Sequence, residues 1–518
     1  MTGAALFAAL SLLGQDRDQY AWIAVKGRDT LLVERVTRSS AELRTEVAVP
    51  SRVRLTVAAA TTAQGCVTGA EVRVFPWGSA RDATPLQVVA VRLDGDSVRV
   101  AVQARDVSRH AALSMAGARF VLAGDSYAVM ALAVECALSS GADSLDLPTV
   151  AFPNLRSLTV RVRRRGSLVT VVTGDTSRVT VDDRGRPLRV EVGTGGLVVT
   201  RVPFDVALGP AAHAPDYSAP PGAPYRAEEV RVAVEPGVTL AGTFTLPLGA
   251  RGQMPAVVTV SGSGPQDRDC FADIGGGWRP FRQLAETLAE QGVAVLRFDD
   301  RGVGASTGDH AAGTELTVAA DVEAAVRFLR SRPEIDPGRI AVLGHSEGAR
   351  VAMLVGARDS TLAGLVLLSG AADPRAAVRA QVLWVAEHGP NAGSVRRDSL
   401  LAYVDRQMDS LAATAKREVY RWNAWALARN IRMPVAIFHG ATDRQVPADQ
   451  ADSLAALFRR AGNAHVTVRV FPDLNHLLVH DPSGDFLRYH RLETAALDRG
   501  LLAAVAAFIQ RAGSEQGP

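Results

Sequence analysis

The sequence predicts two folded domains: an antiparallel β-rich domain at the N-terminus, followed by an α/β domain with a mostly parallel sheet. Three observations support this division. Residues 20–206 alternate apolar and polar side chains, residues 210–224 are rich in proline, and apolar strands then alternate with amphipathic helices. A chain of 518 residues is also longer than one compact core usually accommodates.

The N-terminal half alternates apolar and polar residues over many short segments, such as residues 53–57, 178–181 and 188–192. Alternation of this kind places the apolar side chains on one face of an antiparallel sheet. One helix is predicted between Ser126 and Ser139. We therefore expect residues 15–208 to form a β-rich accessory domain, either a sandwich or a curled sheet.

Residues 209–224 are predicted to be a linker, because five prolines between residues 210 and 224 disfavour both helix and sheet. In residues 225–512, continuous apolar strands alternate with amphipathic helices. Strands that are apolar throughout are typical of a parallel sheet covered on both faces. A helical insertion at about residues 371–432 is expected to form a lid over the site.

The segment Gly344-His345-Ser346-Glu347-Gly348 matches the pattern G-x-S-x-G where an apolar strand meets a helix. A serine in such a sharp turn has a strained backbone, and only small residues two positions before and after it let the chain close up. The N-terminus of the new helix also favours negative charge at the site. These features predict that Ser346 is a catalytic nucleophile.

A serine hydroxyl is a poor nucleophile unless a base takes its proton. Where a G-x-S-x-G turn carries the nucleophile, an acid and then a histidine follow it along the chain. Asp443 follows the apolar strand at residues 435–438, and His476 follows the strand at residues 466–470. The sequence therefore predicts a triad of Ser346, Asp443 and His476, in which His476 is the base.

Negative charge that develops on a substrate oxygen needs backbone N–H donors. We expect one donor to be the N–H of Glu347, directly after the nucleophile. The second should come from the loop SGSGP at residues 261–265, where we favour the N–H of Ser263. Activity should fall at acid pH, because His476 must be neutral to act as a base.

The strings SGSGPQDRD at residues 261–269 and FDDRGVG at residues 298–304 resemble the bacterial EstD-type carboxylesterases and their dienelactone-hydrolase-like relatives, which are α/β-hydrolases. The resemblance covers residues 225–512. It implies an α/β-hydrolase domain that cleaves carboxylic esters, usually with short acyl chains, and needs no cofactor. Ser261 departs from the histidine that many α/β-hydrolases have before the oxyanion glycine.

Other polar residues lie near these motifs. His345 is expected to pack under the turn or to line the pocket, and His439 to be a structural histidine with satisfied hydrogen bonds. Asp473 is the alternative acid if Asp443 is misplaced. A salt-bridge network is expected to brace the oxyanion loop through Asp267, Arg268, Asp269, Asp299, Asp300 and Arg301.

The bulk composition excludes several classes of partner. The net charge of +3, without a basic run, gives no indication of a nucleic-acid partner. Three cysteines without metal-ligand spacing allow at most one intramolecular disulfide and predict no metal site. No segment reaches ~18 uninterrupted apolar residues, so no integral membrane segment is expected. The glycines at residues 302–308 lack the spacing of a dinucleotide loop.

Residues 1–14 contain an apolar run of signal-peptide length, although a basic segment before it and a cleavage motif after it are missing. We read it as a truncated signal peptide and expect an extracytoplasmic protein, with a cytoplasmic one as the alternative. The oligomeric state is left open.

The predicted function is hydrolysis of a small-molecule carboxylic ester through an acyl-enzyme intermediate. A serine peptidase and an acyltransferase are alternatives on the same fold. From another class, the N-terminal β domain could carry the main role as a ligand-binding protein.

Overall fold

The computed structural model forms two compact units, Met1–Asp216 and Tyr217–Pro518, and each is considered by itself. It describes residues 18–26, 29–49, 53–76, 84–104, 107–114, 118–123, 126–152, 156–173, 176–193, 196–205, 216–249, 252–272, 274, 277–310, 313–388, 397–412 and 423–512. The signal-peptide prediction for residues 1–14, and residues 209–215 of the predicted linker, lie outside the described residues.

The N-terminal unit is built mainly of β-strands, with one helix, α1, among its described residues. The elements are β1 Asp18–Lys26, β2 Asp29–Arg38, β3 Glu42–Val49, β4 Val53–Thr61, β5 Val67–Pro76, β6 Gln87–Asp94, β7 Ser97–Ala104, β8 Val107–Ser114, β9 Phe120–Ala123, α1 Tyr127–Leu138, β10 Ser144–Phe152, β11 Arg156–Arg165, β12 Leu168–Val172, β13 Thr176–Val181, β14 Pro187–Val192 and β15 Leu197–Pro203.

These strands form one sheet of fifteen in the order β8-β7-β6-β5-β4-β3-β2-β1-β15-β14-β13-β12-β11-β10-β9. Neighbouring strands are antiparallel except β9 and β10, which are parallel. The first and last strands pair at the centre of the sheet, from Tyr20 opposite Pro203 to Lys26 opposite Leu197. The sheet is curled, since β9 at one end of it lies against β5 and β6, which belong to its other half. Of the two predicted architectures, the curled sheet is confirmed and the sandwich is wrong.

Helix α1 fills the inside of the curl. It contacts strands from both halves of the sheet, including β2, β5, β10 and β14. Its residues are apolar almost all round and mostly buried, as expected for a helix enclosed by protein. A disulfide between Cys66 and Cys136 links its last turn to the start of β5, and Arg38 binds Glu135 at 2.6 Å. The helix predicted from the sequence is confirmed, with Ser126 as its N-cap.

The C-terminal unit alternates strands and helices. The elements are β16 Tyr225–Glu235, β17 Val238–Pro247, β18 Met254–Val260, α2 Pro280–Glu290, β19 Ala294–Phe298, α3 Glu315–Arg330, β20 Ile335–His345, α4 Glu347–Arg358, β21 Gly364–Leu368, α5 Pro374–His388, α6 Arg397–Ala412, α7 Ala424–Ala428, β22 Val435–Gly440, α8 Asp449–Arg460, β23 Val466–Phe471, a 3₁₀ helix Phe486–Arg491 and α9 Arg499–Arg511.

The sheet of this unit has the order β16-β17-β19-β18-β20-β21-β22-β23. Strands β16 and β17 are antiparallel, as is the pair β17 and β19, and all later pairs are parallel. Every residue of β18, β19, β21 and β22 is buried, because helices cover both faces. Because the strands from β18 to β23 in this order are parallel, the carboxyl ends of β18, β20, β22 and β23 lie at the same edge of the sheet. Within the described residues, no helix has both the length and the hydropathy needed to cross a bilayer.

One buried carboxylate lies inside the N-terminal unit. Glu34, on β2, is fully buried and accepts hydrogen bonds from Ser126 Oγ at 2.5 Å and from the N–H of Ala128 at 2.9 Å. It thus completes the cap of α1. Burial raises the pKa of Glu34 to about 7, although the hydrogen bonds favour the ionised form.

We expect the stability of the N-terminal unit to fall as the pH rises from about 4.5 to 7, since Glu34 holds its proton to higher pH in the folded state than in the unfolded chain. The loss should reach ~3 kcal/mol. Hydrogen exchange of the α1 amides, corrected for the intrinsic rate, measures it. Glu34→Gln should remove the slope, whereas Glu135→Gln, at the other end of α1, should keep it. Protection in the wild type that rises with pH would contradict this assignment.

Candidate active site

Ser346 lies in the turn between β20 and α4 with φ 56° and ψ −114°, a conformation that costs free energy for any residue except glycine. The turn is closed by two glycines. A Cβ at Gly348 would overlap the carbonyl oxygens of Val260 and Ser261, and one at Gly344 would overlap the backbone of Gly348. The side chain of Ser346 is half-buried at the edge of the sheet.

Asp443 and His476 are in direct contact. Nδ1 of His476 lies 2.7 Å from Oδ2 of Asp443, and both residues are buried. Burial alone would raise the pKa of Asp443. The charge of His476 and its hydrogen bond to Asp443, with the neighbouring His439, outweigh burial and hold that pKa well below its usual range. The exposed Asp473 is therefore not needed as the alternative acid.

The loop that carries His476 is fixed by hydrogen bonds from several directions. Oδ1 of Asn475 accepts the N–H of Leu477 at 2.9 Å, and the N–H of His476 donates to the hydroxyl of Tyr489 at 3.2 Å. On the other side, Nε2 of His345 lies 2.9 Å from the carbonyl oxygen of His476. The ring before the nucleophile thus contacts the backbone of the predicted base, and burial lowers the pKa of His345 to about 3.

The two predicted oxyanion donors lie on facing segments. The side chains of Ser263 and Glu347 form a hydrogen bond of 2.7 Å, which joins the loop after β18 to the first residue of α4. In the part of the chain that the structure describes, neither backbone N–H donates to a protein acceptor. A Cβ placed on Gly262 would lie 3.5 Å from Cβ of Ser346, so this loop passes directly beside the nucleophile.

Hydrogen bonds with the polar groups around it hold the loop at residues 261–266 in place. Asp300 accepts the hydroxyl of Ser261 at 2.6 Å and the N–H of Gln266 at 2.9 Å. Burial raises the pKa of Asp300 to about 8, against the effect of these hydrogen bonds. The thiol of Cys270 bonds to the side-chain oxygen of Gln266, and the N–H of Gly262 bonds to its sulfur.

The predicted salt-bridge network is present in a different form. Arg268 binds Asp299 at 2.9 Å, with both side chains 2% exposed, and also reaches Glu229 at 2.7 Å. Arg297 pairs with Asp269. Arg301, however, turns away to Asp321 at 2.7 Å, and Asp300 binds the loop through neutral donors. The set thus forms several small groups of ion pairs rather than one network.

Comparison with known proteins gives several matches, of which the family profile lies within the C-terminal unit. The sequence profile of the family described as serine aminopeptidase, S33, matches residues 278–424. The esterase EstD of Thermotoga maritima is 30% identical over 248 residues, which cover 46% of this chain and 58% of the relative. YuxL of Bacillus subtilis, described as an uncharacterised peptidase, is 24% identical over 261 residues, 48% of this chain and 35% of the relative.

A solved esterase of Pyrococcus furiosus is 20% identical, with a TM-score of 0.40, and its likeness covers 55% of this chain and 91% of that chain. The sheet order, the strained serine between β20 and α4, and the sequence similarity to EstD all indicate the same fold for the C-terminal unit. The C-terminal unit has the α/β-hydrolase fold and is similar in sequence to EstD. The chain spans little more than half the length of EstD and about a third of the length of YuxL.

The insertion of the α/β-hydrolase domain contains α5, α6 and α7 among its described residues. Helix α5 is attached to the loop of Asp443, because Nε2 of Gln381 donates to the carbonyl oxygen of Gln445 at 2.9 Å. Nε1 of Trp384 donates to Asp485 at 3.0 Å. Ion pairs of 2.7 Å between Arg375 and Asp409, and between Arg379 and Asp405, join α5 to α6.

The structure adds site residues that sequence reasoning missed. Asn475 and Tyr489 hold the His476 loop, and only the position of Asn475 beside His476 gave a signal. The expectation that His439 is a satisfied structural histidine is wrong. Its Nδ1 is buried and has no hydrogen-bond partner among the described residues, whereas its Nε2 lies 2.8 Å from the carbonyl oxygen of Val446 and 3.3 Å from Asp443. His345 packs beneath the turn, as one of the two expectations stated.

We expect Arg268→Ala to destabilise the α/β-hydrolase domain by ~3–5 kcal/mol, because it leaves the buried carboxylate of Asp299 without its partner. The matched control is Arg358→Ala, which removes an exposed pair with Glu323 at 3.1 Å and should cost less than ~1 kcal/mol. Urea denaturation measures both. If both variants lost the same free energy of unfolding, the buried pair would contribute no more to stability than the exposed one.

Proposed function

We propose that the α/β-hydrolase domain cleaves carboxylic esters, with short acyl chains as the expected substrates. The contact of 2.7 Å between His476 and Asp443, at the same sheet edge as the strained Ser346, is the observation that carries the proposal. The name of the relative EstD, an esterase, supports the choice of ester over other acyl compounds.

In the proposed mechanism, Nδ1 of His476 donates to Asp443, so that Nε2 faces the nucleophile. Nε2 takes the proton of Ser346 as its oxygen attacks the ester carbonyl carbon. The tetrahedral intermediate collapses, His476 protonates the leaving alcohol, and an acyl-enzyme remains. Water then attacks this acyl group, with His476 again accepting and returning the proton, which releases the acid and restores Ser346.

The N–H groups of Glu347 and Ser263 are proposed to hold the oxyanion. The hydrogen bond between their side chains would keep the two donors at a fixed separation, and one such donor is typically worth ~3 kcal/mol of transition-state stabilisation. The insertion helices α5, α6 and α7 are proposed to cover the site as a lid. The attachment of Gln381 to the acid loop supports this position.

A peptidase is the second candidate. The names of the S33 family and of YuxL favour it, since both refer to peptide substrates. Aminoacyl p-nitroanilides compared with p-nitrophenyl esters distinguish the two candidates. Acyl transfer to an alcohol other than water would use the same residues and would show as a new ester product.

The rival function, a ligand-binding protein led by the N-terminal unit, has less support. Helix α1 occupies the interior of the curled sheet and is mostly buried there. A groove of about 900 Å³ on the unit is lined mainly by small residues such as Ala58, Ala60 and Ala90. We therefore propose an accessory role for this unit.

We expect Ser346→Ala to abolish hydrolysis of p-nitrophenyl esters from C2 to C12 and labelling by a fluorophosphonate, because it removes the attacking oxygen. The wild type should turn over the short esters fastest. Ser331→Ala, at the exposed end of α3, is the matched control and should leave both rates unchanged. Undiminished ester turnover by Ser346→Ala would refute the assignment of the nucleophile.

We also propose that the protein works outside the cytoplasm. The pairing of Cys66 with Cys136 supports this location, since disulfides persist in oxidising compartments. The third cysteine, Cys270, is buried and unpaired.

When the protein is alkylated in its native cells and its peptides are mapped, Cys66 and Cys136 should be found joined by a disulfide. Cys136→Ala should destabilise the N-terminal unit by ~2–5 kcal/mol, because the link constrains the unfolded chain. Cys270→Ala serves as the control and should leave the linked peptide in place. Recovery of Cys66 and Cys136 as alkylated thiols would place the protein in a reducing compartment instead.

A further inference from the structure

Both ends of the loop at residues 261–266 bond to one residue, Asp300, which follows β19. Oδ1 of Asp300 accepts the hydroxyl of Ser261 at 2.6 Å, and Oδ2 accepts the N–H of Gln266 at 2.9 Å. The N–H of Asp300 also donates to the carbonyl oxygen of Gln266 at 3.0 Å. Three hydrogen bonds to a single residue therefore hold the start and the end of the loop at a fixed separation.

The side chain of Gln266 extends this constraint to Ser263, whose N–H is one of the two proposed oxyanion donors. Nε2 of Gln266 donates to the carbonyl oxygen of Ser263 at 3.1 Å. From the other side, the hydroxyl of Ser263 donates to Glu347 at 2.7 Å. The carbonyl and the hydroxyl of Ser263 are thus both engaged, while its N–H donates to no protein acceptor among the described residues.

The surroundings of Asp300 point to a role in this loop. Its neighbours in sequence form ion pairs, Asp299 with Arg268 and Arg301 with Asp321. Within the described residues, the side chain of Asp300 bonds only to the loop. Asp300 is half-buried, and burial of its carboxyl group raises its pKa to about 8. A carboxyl group withdrawn from water without a cation beside it costs free energy, which an apolar side chain would avoid.

We propose that Asp300 is a positioning residue, which directs the N–H of Ser263 toward the oxyanion by holding both ends of the loop. The proposal rests on the proposed function, because it takes Ser263 to be an oxyanion donor. It goes further in assigning a role in catalysis to a residue outside the triad and outside the two donor residues.

The effect of Asp300 should appear in kcat rather than in KM. The negative charge on the substrate oxygen develops only as Ser346 attacks, so a well-directed N–H stabilises the transition state more than the bound ester. A loop that is free to turn would leave the ester bound almost as well and would slow its conversion.

Two variants of Asp300 test the proposal on p-nitrophenyl acetate. Asp300→Leu removes both acceptors at similar volume and should lower kcat by ~10–100-fold, with KM within ~2-fold of the wild type. Asp300→Asn keeps an acceptor for the N–H of Gln266 and places an amide opposite the hydroxyl of Ser261. It should therefore stay within ~3-fold of the wild type in both constants. If Asp300→Asn were as slow as Asp300→Leu, or if Asp300→Leu kept its kcat, the proposal would be overturned.

A loss of folded protein must be separated from a loss of positioning. Rates are therefore expressed per reactive serine, counted by fluorophosphonate labelling of Ser346 at completion. Val326→Ala, in the buried face of α3, is the control: it removes core contacts and should lower stability without changing kcat per labelled serine. A decrease in Asp300→Leu that is confined to the number of labelled serines would mean that Asp300 has only a structural role.

A trifluoromethyl ketone gives a second measurement, because its adduct with Ser346 carries the negative charge that the donors bind. Its affinity for Asp300→Leu should fall by the same factor as kcat/KM, within ~3-fold. An unchanged affinity would overturn the proposal. If the wild type forms the adduct but cleaves no ester, the proposed function fails and the ketone still tests Asp300; if the wild type forms no adduct, both fail.

Ser261→Ala keeps the test open if Asp300→Leu does not fold. This variant leaves the carboxyl group in place and removes one of the hydrogen bonds that hold the loop. It should lower kcat and the affinity for the ketone together, by ~3–10-fold, with KM unchanged. Wild-type values of kcat and of ketone affinity in Ser261→Ala would rule the proposal out.

Discussion

The turn that carries Ser346 is in direct backbone contact with the end of β18, and the rest of the site depends on this close contact. Gly348 brings α4 against the carbonyl oxygens of Val260 and Ser261, so the helix starts directly beside the end of β18. A second close approach occurs between the strand of the acid and the loop of the base, where a Cβ on Gly440 would overlap the carbonyl of Leu474. The first contact places the turn of Ser346 beside the loop after β18, and the second places the strand before Asp443 against the loop of His476.

The arrangement of the α/β domain could be predicted from the sequence because the carboxyl ends of parallel strands lie at one edge of the sheet. Once strands were recognised before Ser346, Asp443 and His476, their meeting at that edge followed from topology. The curled sheet was harder, because alternation tells which face a residue occupies but not which strands pair. Nothing local indicates that β1 pairs with β15. The sequence also gives no sign that Tyr489 supports the His476 loop, or that Nδ1 of His439 has no partner among the described residues, since both depend on backbone that is distant in sequence.

One residue connects the insertion to the triad. The carbonyl oxygen of Gln445 accepts a hydrogen bond from Gln381 on α5, while its N–H donates to Oδ1 of Asp443. A displacement of α5 would therefore reach the acid through a single residue, Gln445. The two hydrogen bonds of Gln445 thus connect the position of α5 with the orientation of the Asp443 carboxylate.

The pairing of β1 with β15 also has a kinetic consequence. Strands adjacent at the centre of the sheet are separated by most of the unit in sequence, from Tyr20 to Pro203. Contacts of such long range slow folding, because the entropy of closing the chain is lost before the contacts form. During synthesis β1 must wait until β15 has emerged, and in that interval its edge is open to other strands. The pairing of β1 with β15 is thus the last one in this sheet that synthesis permits, and until it forms β1 has an open edge of the kind that pairs with other chains.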